Sequence, residues 1–324
     1  MPELPVELLI LPALSLAAGI DLYLTLLFIG AAPTIAWGSQ PLPGALGDLD
    51  SPAVLLMVGA LYILEFAAER SEPSALIWNA FHAVIRPVAG ALLALLLLDG
   101  APLLVVVGGA LIGATLASIS HAVRSGGAII RWLGSASHPS VLLVSLLEDG
   151  LVLGSIALSL DAPVWALPAS AGLSLGAAIV LPSYTRAFVF AIRLATARAF
   201  QTLTQRRWMS SEELPPWVRY ALEGDILAPG GGLRGSPAAA HRLPGAPSFS
   251  TGWVVVRGSS PLFVYRRRRG AGTVDLGSLP AAQVVETDFF SRVDFGTGSG
   301  AFAAVFFGVN GPSEAGLRAE FLVA

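Results

Sequence analysis

The 324 residues carry a formal net charge of −3, and only 13% of them are charged while 54% are hydrophobic. Soluble globular domains carry about 25% charged residues, so this composition excludes a water-exposed surface over the whole chain. Cysteine is absent, which excludes disulfides, thiolate zinc sites and a cysteine nucleophile, and the small net charge gives no indication of a strongly acidic or basic partner.

Six apolar segments in the first two-thirds of the chain are long enough for membrane helices, which need about 17 to 25 mostly apolar residues. Gly19 and Asp21 interrupt the first segment and predict a helix that breaks in its middle. Arg86 and Pro87 lie inside the third segment, where the proline predicts a kink. The six segments are residues 6–37, 52–68, 75–98, 101–122, 141–160 and 163–181.

Two further stretches have a mixed character. Residues 121–140 separate the fourth and fifth segments and are too polar to cross a membrane easily, so they are either a loop or a re-entrant hairpin. Residues 184–207 place Arg186, Arg193 and Arg198 among apolar side chains. That pattern is typical of an amphipathic helix at the membrane surface, or of a helix that lines the bundle.

The distribution of arginine predicts the orientation. The turns at 38–51, 99–100 and 161–162 contain acids and no arginine. Arginines lie instead at the opposite ends of the segments, namely Arg70, Arg124, Arg131, Arg206 and Arg207. Cytoplasmic loops carry an excess of positive residues, so six spans place both the N-terminus and the tail in the cytoplasm. We therefore expect a multi-pass protein of a bacterial inner (plasma) membrane.

The fold class predicted is an all-α polytopic membrane bundle with a small, mainly-β soluble domain at the C-terminus. The bundle takes residues 1–204. Residues 205–249 contain a short helix followed by a linker rich in glycine, proline and alanine. Residues 250–324 contain about six short strands rich in valine and phenylalanine, separated by glycine-containing turns, which suits a small cytoplasmic barrel or sandwich.

Ionisable residues inside the apolar segments form the candidate site. Each charge at the centre of a bilayer costs at least about 2.5–3.5 kcal/mol, so such residues usually face the bundle interior and pair there. Arg86 lies about ten residues into its segment, hence about 15 Å deep, and stays protonated. It must meet an acid, a carbonyl or water. The candidate residues are Asp21, Glu65, His82, Arg86, Pro87, Glu148 and Asp149.

Three interpretations of this site remain open. The charges either hold the helices in register, or line a polar pathway, or form a catalytic centre. Against catalysis, the sequence contains no HExxH, GxSxG or Walker pattern, and the histidine spacings fit no ligand pattern. We expect no enzyme activity, no cofactor and no metal site. The acids outnumber Arg86, and protonation or a bound cation would relieve that excess.

Two surface motifs each have a plain and a functional interpretation. Gly109 and Gly113 have GxxxG spacing, which indicates close helix packing, either within the bundle or at a dimer contact. Arg266, Arg267, Arg268 and Arg269 are either a solvated strand end before a turn at Gly270 or a contact for anionic lipid. Nucleic-acid binding is not expected, because residues 206–324 hold 12 arginines against 10 acids and no recognition motif.

Four stretches carry a family resemblance: AAGIDLYLTLLFIG (17–30), EFAAER (65–70), FHAVIRPVAGALLA (81–94) and SLLEDGLVLG (145–154). Over about residues 10–165 the chain resembles a bacterial family of membrane proteins, the domain of unknown function 4126 family. The resemblance implies a polytopic bundle that keeps the arginine–proline pair and the acid pair. It implies no biochemical role, and the β-rich tail lies outside it.

The leading functional expectation is a transporter or channel-like protein. The pathway would run between the first, third and fifth segments, the four acids would bind protons or cations, and Arg86 would be their counter-charge or attract an anionic group. Its partners would then be the bilayer and a small solute, proton or cation. The alternatives are a membrane scaffold or regulator whose β domain binds a protein partner, and a lipid-handling, scramblase-like protein.

Overall fold

The computed structural model describes residues 5–35, 42–69, 72–133, 141–199, 207–222, 233–258, 260–287, 290–296, 302–308 and 311–322. The chain divides into two compact units, Met1–Phe188 and Val189–Ala324. The first is helical and the second is mainly an antiparallel β-sheet. The predicted combination of a helical bundle and a β-rich tail is therefore confirmed.

Seven α-helices lie between residues 5 and 199 of the described chain. They are α1 (Val6–Ile20), α2 (Leu22–Ala31), α3 (Pro52–Ala68), α4 (Glu72–Leu97), α5 (Leu103–Leu133), α6 (Val141–Asp161) and α7 (Pro163–Ala199). A 3₁₀ helix at Gly44–Asp50 precedes α3.

Four of the described helices contain stretches long and apolar enough to cross a membrane: Ile77–Leu97, Leu103–Ile130, Leu143–Asp161 and Pro163–Phe190. A fifth is counted if the 3₁₀ helix and α3, bent by 79°, form one broken span. Their outward faces are apolar, as lipid requires, with Leu104 85% and Ile179 75% exposed. These helices indicate a multi-pass membrane protein, but the predicted count of six spans is not confirmed.

The first predicted segment breaks where the sequence indicates. Asp21 has extended backbone angles (φ −140°, ψ 104°) and separates α1 from α2. Its carboxylate caps α2, because Oδ1 accepts a hydrogen bond from the backbone N–H of Leu24 at 2.9 Å. Each half is only 15 or 10 residues long, too short to span alone, and this accounts for part of the difference in span count.

α4 contains Pro87 and ends at Leu97, close to the end predicted for the third segment. Two other predicted boundaries differ from the structure. α5 continues through 121–133, so neither a loop nor a hairpin occurs there, and residues 134–140 lie outside the described ones. α7 contains Pro182 and continues to Ala199, which absorbs most of the separate surface helix predicted at 184–207. The helices do not end at these polar residues, because the backbone hydrogen bonds of each helix continue past them.

Small residues let α4 and α5 cross closely. A Cβ added at Gly90 would collide with the carbonyl oxygen of Gly113, and one added at Gly113 would collide with that of Gly90. Ala94 and Ala117 lie beside the same crossing. This is the packing use of small residues within the bundle, as the intramolecular interpretation of the Gly109–Gly113 motif expects.

The second unit is built on an eight-stranded sheet. Its strands are β1 (Met209–Ser210), β2 (Arg234–His241), β3 (Ser250–Arg257), β4 (Ser260–Arg266), β5 (Ala271–Asp275), β6 (Ala281–Glu286), β7 (Phe290–Gly296) and β8 (Phe302–Gly308). The order is β5-β4-β3-β2-β8-β7-β6, with β1 paired to β2, and every pairing is antiparallel. Two short helices, α8 (Pro216–Ala221) and α9 (Glu314–Phe321), complete the unit.

Alternation along β3 gives the sheet two apolar faces. Val254 and Val256 belong to a core with Leu317 of α9, whereas Val255 packs on the other side with Val218 of α8. Two predictions for this unit are wrong. Strand β2 lies inside the predicted linker 205–249, and Glu314–Phe321, in the region 250–324 for which strands were predicted, forms the helix α9.

His241 is a buried titratable group at the end of β2. Its side chain is 8% exposed and its ring packs against Phe249 with 4.6 Å between ring centroids. Its Nδ1 has no hydrogen-bond partner among the described residues. Burial, and next the positive charges of Arg242 and Arg292, lower the pKa of His241 to about 4.

Replacing Gly113 by alanine should destabilise the bundle. The added methyl group collides with the backbone of Gly90, and overpacking of this kind costs about 1–3 kcal/mol. Gly108→Ala is the control on the same helix, since nothing lies within 4 Å of its added Cβ, and its stability should stay unchanged or rise by up to about 1 kcal/mol. Thermal unfolding in detergent measures both, and equal effects would disprove the close crossing.

The β unit should lose stability as the pH falls from about 6.5 towards 4. In that window the unfolded chain binds a proton at His241 that the folded chain does not. The contribution of neutral His241 to the free energy of unfolding is therefore complete only above the pKa that His241 has in the unfolded chain. His241→Phe keeps a ring against Phe249 and removes the titration. Urea unfolding of the full-length chain, read from protease resistance of residues 233–322, should show a weaker pH dependence in the variant. Identical pH dependence would contradict the pKa assignment.

Candidate functional site

Charged side chains from four helices meet around the break between α1 and α2. Glu65 and Glu69 come from the C-terminal end of α3, and Arg86 from the middle of α4. Arg124 comes from α5 and Glu148 from α6. The hydrogen bonds and ion pairs among them form one continuous network, described below as the charge cluster.

Arg86 is fully buried, with 0% of its side chain exposed. Its Nη1 donates to the carbonyl oxygens of Gly19 and Ile20, both at 2.6 Å, and its Nη2 donates to Oε1 of Glu65. The two carbonyls are free to accept because α1 ends at Ile20 and leaves its last C=O groups without helical partners. The negative end of the α1 dipole therefore also faces the guanidinium.

Glu65 links the two arginines of the charge cluster. Its side chain is 2% exposed, and Oε1 contacts Arg86 and lies 3.5 Å from Nη1 of Arg124. A carboxylate this deeply buried is stable in its charged form only beside positive groups. The predicted pairing of Arg86 with an acid from a neighbouring helix is what the structure has, with Glu65 as that acid.

Arg124 belongs to the charge cluster, although the sequence pattern did not predict it there. Its Nε donates to Glu148 at 3.0 Å, and its Nη2 lies 2.8 Å from a carboxylate oxygen of Glu69. The predicted segment ended at residue 122, so Arg124 was assigned to a cytoplasmic loop. The signal that would have found it is the helical spacing from His121 and Ser120, which continues α5 through this position.

The other predicted acids have different partners from those expected. Asp21 caps α2 and forms no ion pair with Arg86; the carbonyls just before it do that instead. Glu148 pairs with Arg124. Asp149 lies close to the side chain of Tyr62 of α3. The acid pair of α6 thus reaches two different neighbours, as adjacent positions on a helix require.

His82 is held in one neutral form by its neighbours. Its Nδ1 lies 2.9 Å from the carbonyl oxygen of Trp78, which can only accept, so Nδ1 carries the proton. Nε2 then accepts from the hydroxyl of Tyr23 at 3.1 Å. His82 therefore fixes α4 against α2 and makes no contact with a carboxylate.

A second polar set lies between α4 and α5. The hydroxyl of Ser125 donates to Oδ1 of Asn79 at 2.9 Å, and Nε2 of His121 lies 3.2 Å from the Asn79 carbonyl oxygen. His82 and His121 are thus each satisfied separately. Within the described part of the chain, no three His, Asp or Glu side chains are arranged to hold a metal ion.

An open groove of about 400 Å³ reaches the charge cluster between α1, α5, α6 and α7. Arg124 and Glu148 lie in its wall, with 11% and 22% of their side chains exposed. Arg86 and Glu65 do not line it. The full lining, called the four-helix groove below, is Leu16, Ile20, Ser120, Val123, Arg124, Glu148, Leu151, Gly172, Leu173, Gly176, Ala177, Val180 and Tyr184.

Negative charge is in excess around the cluster. Among the described side chains, two guanidiniums, Arg86 and Arg124, face five carboxylates. The five are Asp21, Glu65, Glu69, Glu148 and Asp149. Like charges held this close in a medium of low dielectric constant cannot all stay ionised unless protons or a cation join them.

The arginine run of the second unit forms a hairpin end. Arg266 closes β4 and stacks over Trp217 with 5.0 Å from its guanidinium carbon to the ring centroid. The side chain of Arg267 donates to the hydroxyl of Tyr265 at 2.7 Å, and Gly270 has the positive φ of a tight turn (79°). Arg268 and Arg269 are exposed. The solvated turn is present, and the lipid contact stays a prediction.

One family profile, described as Domain of unknown function (DUF4126), matches residues 8–183. The match covers more than half of the chain and contains every residue of the charge cluster. It bears out the resemblance stated for residues 10–165 and extends it to α7. No curated protein and no solved structure matches the chain.

Removing either partner of the Arg86–Glu65 pair should destabilise the bundle. Arg86→Met leaves Glu65 and two carbonyls without a donor, and breaking a buried pair costs about 3–5 kcal/mol. The double variant Arg86→Met with Glu65→Leu should lose less than the sum of the two single changes, by about 0.5–3 kcal/mol. The measurement is unfolding of the full-length chain in detergent.

The control is Arg186→Met in α7. Arg186 is exposed and donates to the carbonyl of Pro182 in its own helix, so its loss should change stability by no more than about 0.5 kcal/mol. Additive effects of the Arg86 and Glu65 changes would show that the two side chains are not coupled.

Proposed function

We propose that this chain, which belongs to the DUF4126 family, is a membrane transporter or channel-like protein whose charge cluster couples solute movement to protons or cations. One observation carries the proposal: the Arg124–Glu148 pair is exposed in the wall of the four-helix groove, directly next to a buried set of excess carboxylates. Ionisable groups at membrane depth that open to a cavity usually mark an ion or proton pathway.

The cluster divides into a sealed part and a part that faces the groove. Arg86 uses its Nη atoms on Glu65 and on the end of α1, and it is sealed from the groove, so its role is to hold the break in place. The Arg124–Glu148 pair faces the groove and is the part that a proton or solute can reach. The sequence pattern indicated Arg86 as the main functional residue. In this proposal Arg124 and Glu148 have that role instead.

Protonation of Glu148 would change the groove. A neutral carboxyl no longer holds the charge of Arg124, so the guanidinium turns towards Glu65 and Glu69, which already contact it. The wall of the groove then loses an ion pair and becomes less polar. A site that alternates between these two forms can load on one side of the membrane and release on the other.

The location is part of the same proposal. The arginine-rich ends of the segments support a bacterial inner membrane with the N-terminus and the β unit in the cytoplasm. The pathway would use the break at Asp21, since unwound backbone at membrane depth is tolerated only against protein or a cavity.

A scaffold or regulatory role is the second candidate, and the β unit offers an observation for it. A surface cavity of about 470 Å³ is lined by Trp217, Trp253, Phe306 and Arg266. Aromatic residues and arginine are the side chains enriched where proteins bind partners. In that case the charge cluster only stabilises the bundle. A lipid-handling role would use the same four-helix groove for headgroups.

Reconstitution into liposomes tests the proposal. Wild-type protein should carry protons into vesicles that hold a pH-sensitive dye when a membrane potential is imposed. Glu148→Gln should lower the initial rate at least about tenfold, because general proton transfer by a placed carboxyl is worth about 10²-fold or more. Glu212→Gln, on an exposed carboxylate of the tail, should have the wild-type rate.

Two outcomes would reject the transport role. One is a wild-type rate equal to that of protein-free vesicles, in which case the scaffold predicts a protein partner retained through residues 250–324. The other is a Glu148→Gln rate equal to that of wild type, which would show that the charge cluster is not part of the proton pathway. Movement of fluorescent lipid between leaflets without proton flux would select the lipid-handling role.

A further inference from the structure

The four-helix groove is polar at one place and apolar elsewhere. Arg124 and Glu148 form its charged end, while Leu151, Leu173 and Val180 give it apolar walls. Its volume of about 400 Å³ lies within the range of about 300–1,000 Å³ usual for small-molecule sites. The shape suits a molecule with a large apolar body and one charged group.

Glycines keep the α7 side of the groove open. Gly172 and Gly176 are one helical turn apart, both line the groove, and a Cβ added to either would meet no atom within 4 Å. Glycines such as Gly90 and Gly113 serve close packing in this bundle, whereas Gly154 faces open space outside the groove lining. Because Gly172 and Gly176 do line the groove, larger side chains at these two positions would enter it.

The charged side chains around the groove determine which sign of charge a bound ligand can carry. Among the described residues that line the groove the cation is Arg124, and its contacts with Glu65, Glu69 and Glu148 more than neutralise it. An anionic ligand would have to displace a carboxylate and would add to the excess of negative charge. A cation relieves that excess, and Glu148 is the acid among the described groove-lining residues, with 22% of its side chain exposed.

We infer that the four-helix groove binds a lipophilic cation, whose apolar body lies against α6 and α7 and whose charge is paired by Glu148. The inference rests on the proposed function and names the solute class for it. Binding of the cation replaces a proton: the cluster releases one proton to water as the cation enters, so the net charge of the site does not change.

The described charged and titratable groups in the cluster, beside it or in the groove wall come from five helices and from the break between α1 and α2. They are Asp21 at the break, Glu65, Glu69 and Tyr62 of α3, His82 and Arg86 of α4, His121 and Arg124 of α5, Glu148 and Asp149 of α6, and Tyr184 of α7. The proton is thus released by the coupled cluster as a unit.

Tetraphenylphosphonium and tetraphenylborate are matched probes, since they share size and shape and differ in the sign of the charge. Equilibrium dialysis of the purified full-length chain in detergent, with empty micelles as blank, should show saturable binding of the phosphonium only. Its affinity should be at least about tenfold higher at pH 8 than at pH 6, and binding in weak buffer should release protons. Equal saturable binding of the borate would overturn the inference.

Three variants place the binding in the groove. Gly176→Leu and Gly172→Leu fill the space beside α7 and should each abolish phosphonium binding. Gly154→Leu, on an exposed part of α6 away from the groove lining, adds the same side chain and should keep wild-type affinity. Gel filtration and circular dichroism show that each variant is folded. Wild-type affinity in both α7 variants would overturn the inference.

The outcome separates this inference from the transport proposal. If wild-type protein carries protons into liposomes but binds no phosphonium, the solute class is wrong and the transport role stands. If the phosphonium binds with release of protons but no proton flux occurs, the groove is a binding site for a lipophilic cation and the transport role fails.

Discussion

A guanidinium without access to water has to be surrounded by acceptors, and this requirement organises the helical unit. Arg86 is sealed inside the bundle and reaches Glu65 from α3 and the two carbonyls at the end of α1. The carbonyls are available only because the first segment breaks at Asp21. The break in turn persists because its free backbone groups are satisfied, by Arg86 on one side and by the Asp21 carboxylate on the other. Broken helix and buried arginine therefore depend on each other.

The second arginine turns this structural arrangement into a site. Arg124 shares Glu65 with Arg86 and then reaches Glu69 and Glu148, so the sealed pair and the groove belong to one electrostatic network. Close packing of α4 on α5 through Gly90 and Gly113 brings the two arginines together. The Arg124–Glu148 contact in the groove is therefore linked to the buried Arg86 through the shared carboxylate of Glu65.

Local signals in the sequence predicted the parts of the site that depend on local chemistry. Glycine followed by an acid marked the break at Asp21, and an arginine in an apolar segment marked a buried ion pair. Arg124 was not predicted in the site because an arginine near the end of an apolar segment is equally typical of a cytoplasmic loop. Only the length of α5 shows that this arginine lies within a helix. In the tail, β2 was taken for linker because its alanines, glycine and proline disfavour strands, while pairing with β3 and β8 outweighs that preference.

The division of the charge cluster requires that Arg86 is sealed from water while Arg124 is open to the groove. Nitrogen-15 NMR of the arginine side chains in detergent measures this directly, through the exchange of guanidinium protons with deuterated water and assignment by the Arg86→Lys and Arg124→Lys spectra. We expect one guanidinium signal that is strongly protected from exchange and is absent from the Arg86→Lys spectrum. A second signal should exchange faster and be absent from the Arg124→Lys spectrum. Exchange of Arg86 at the rate of Arg124 or faster would contradict it.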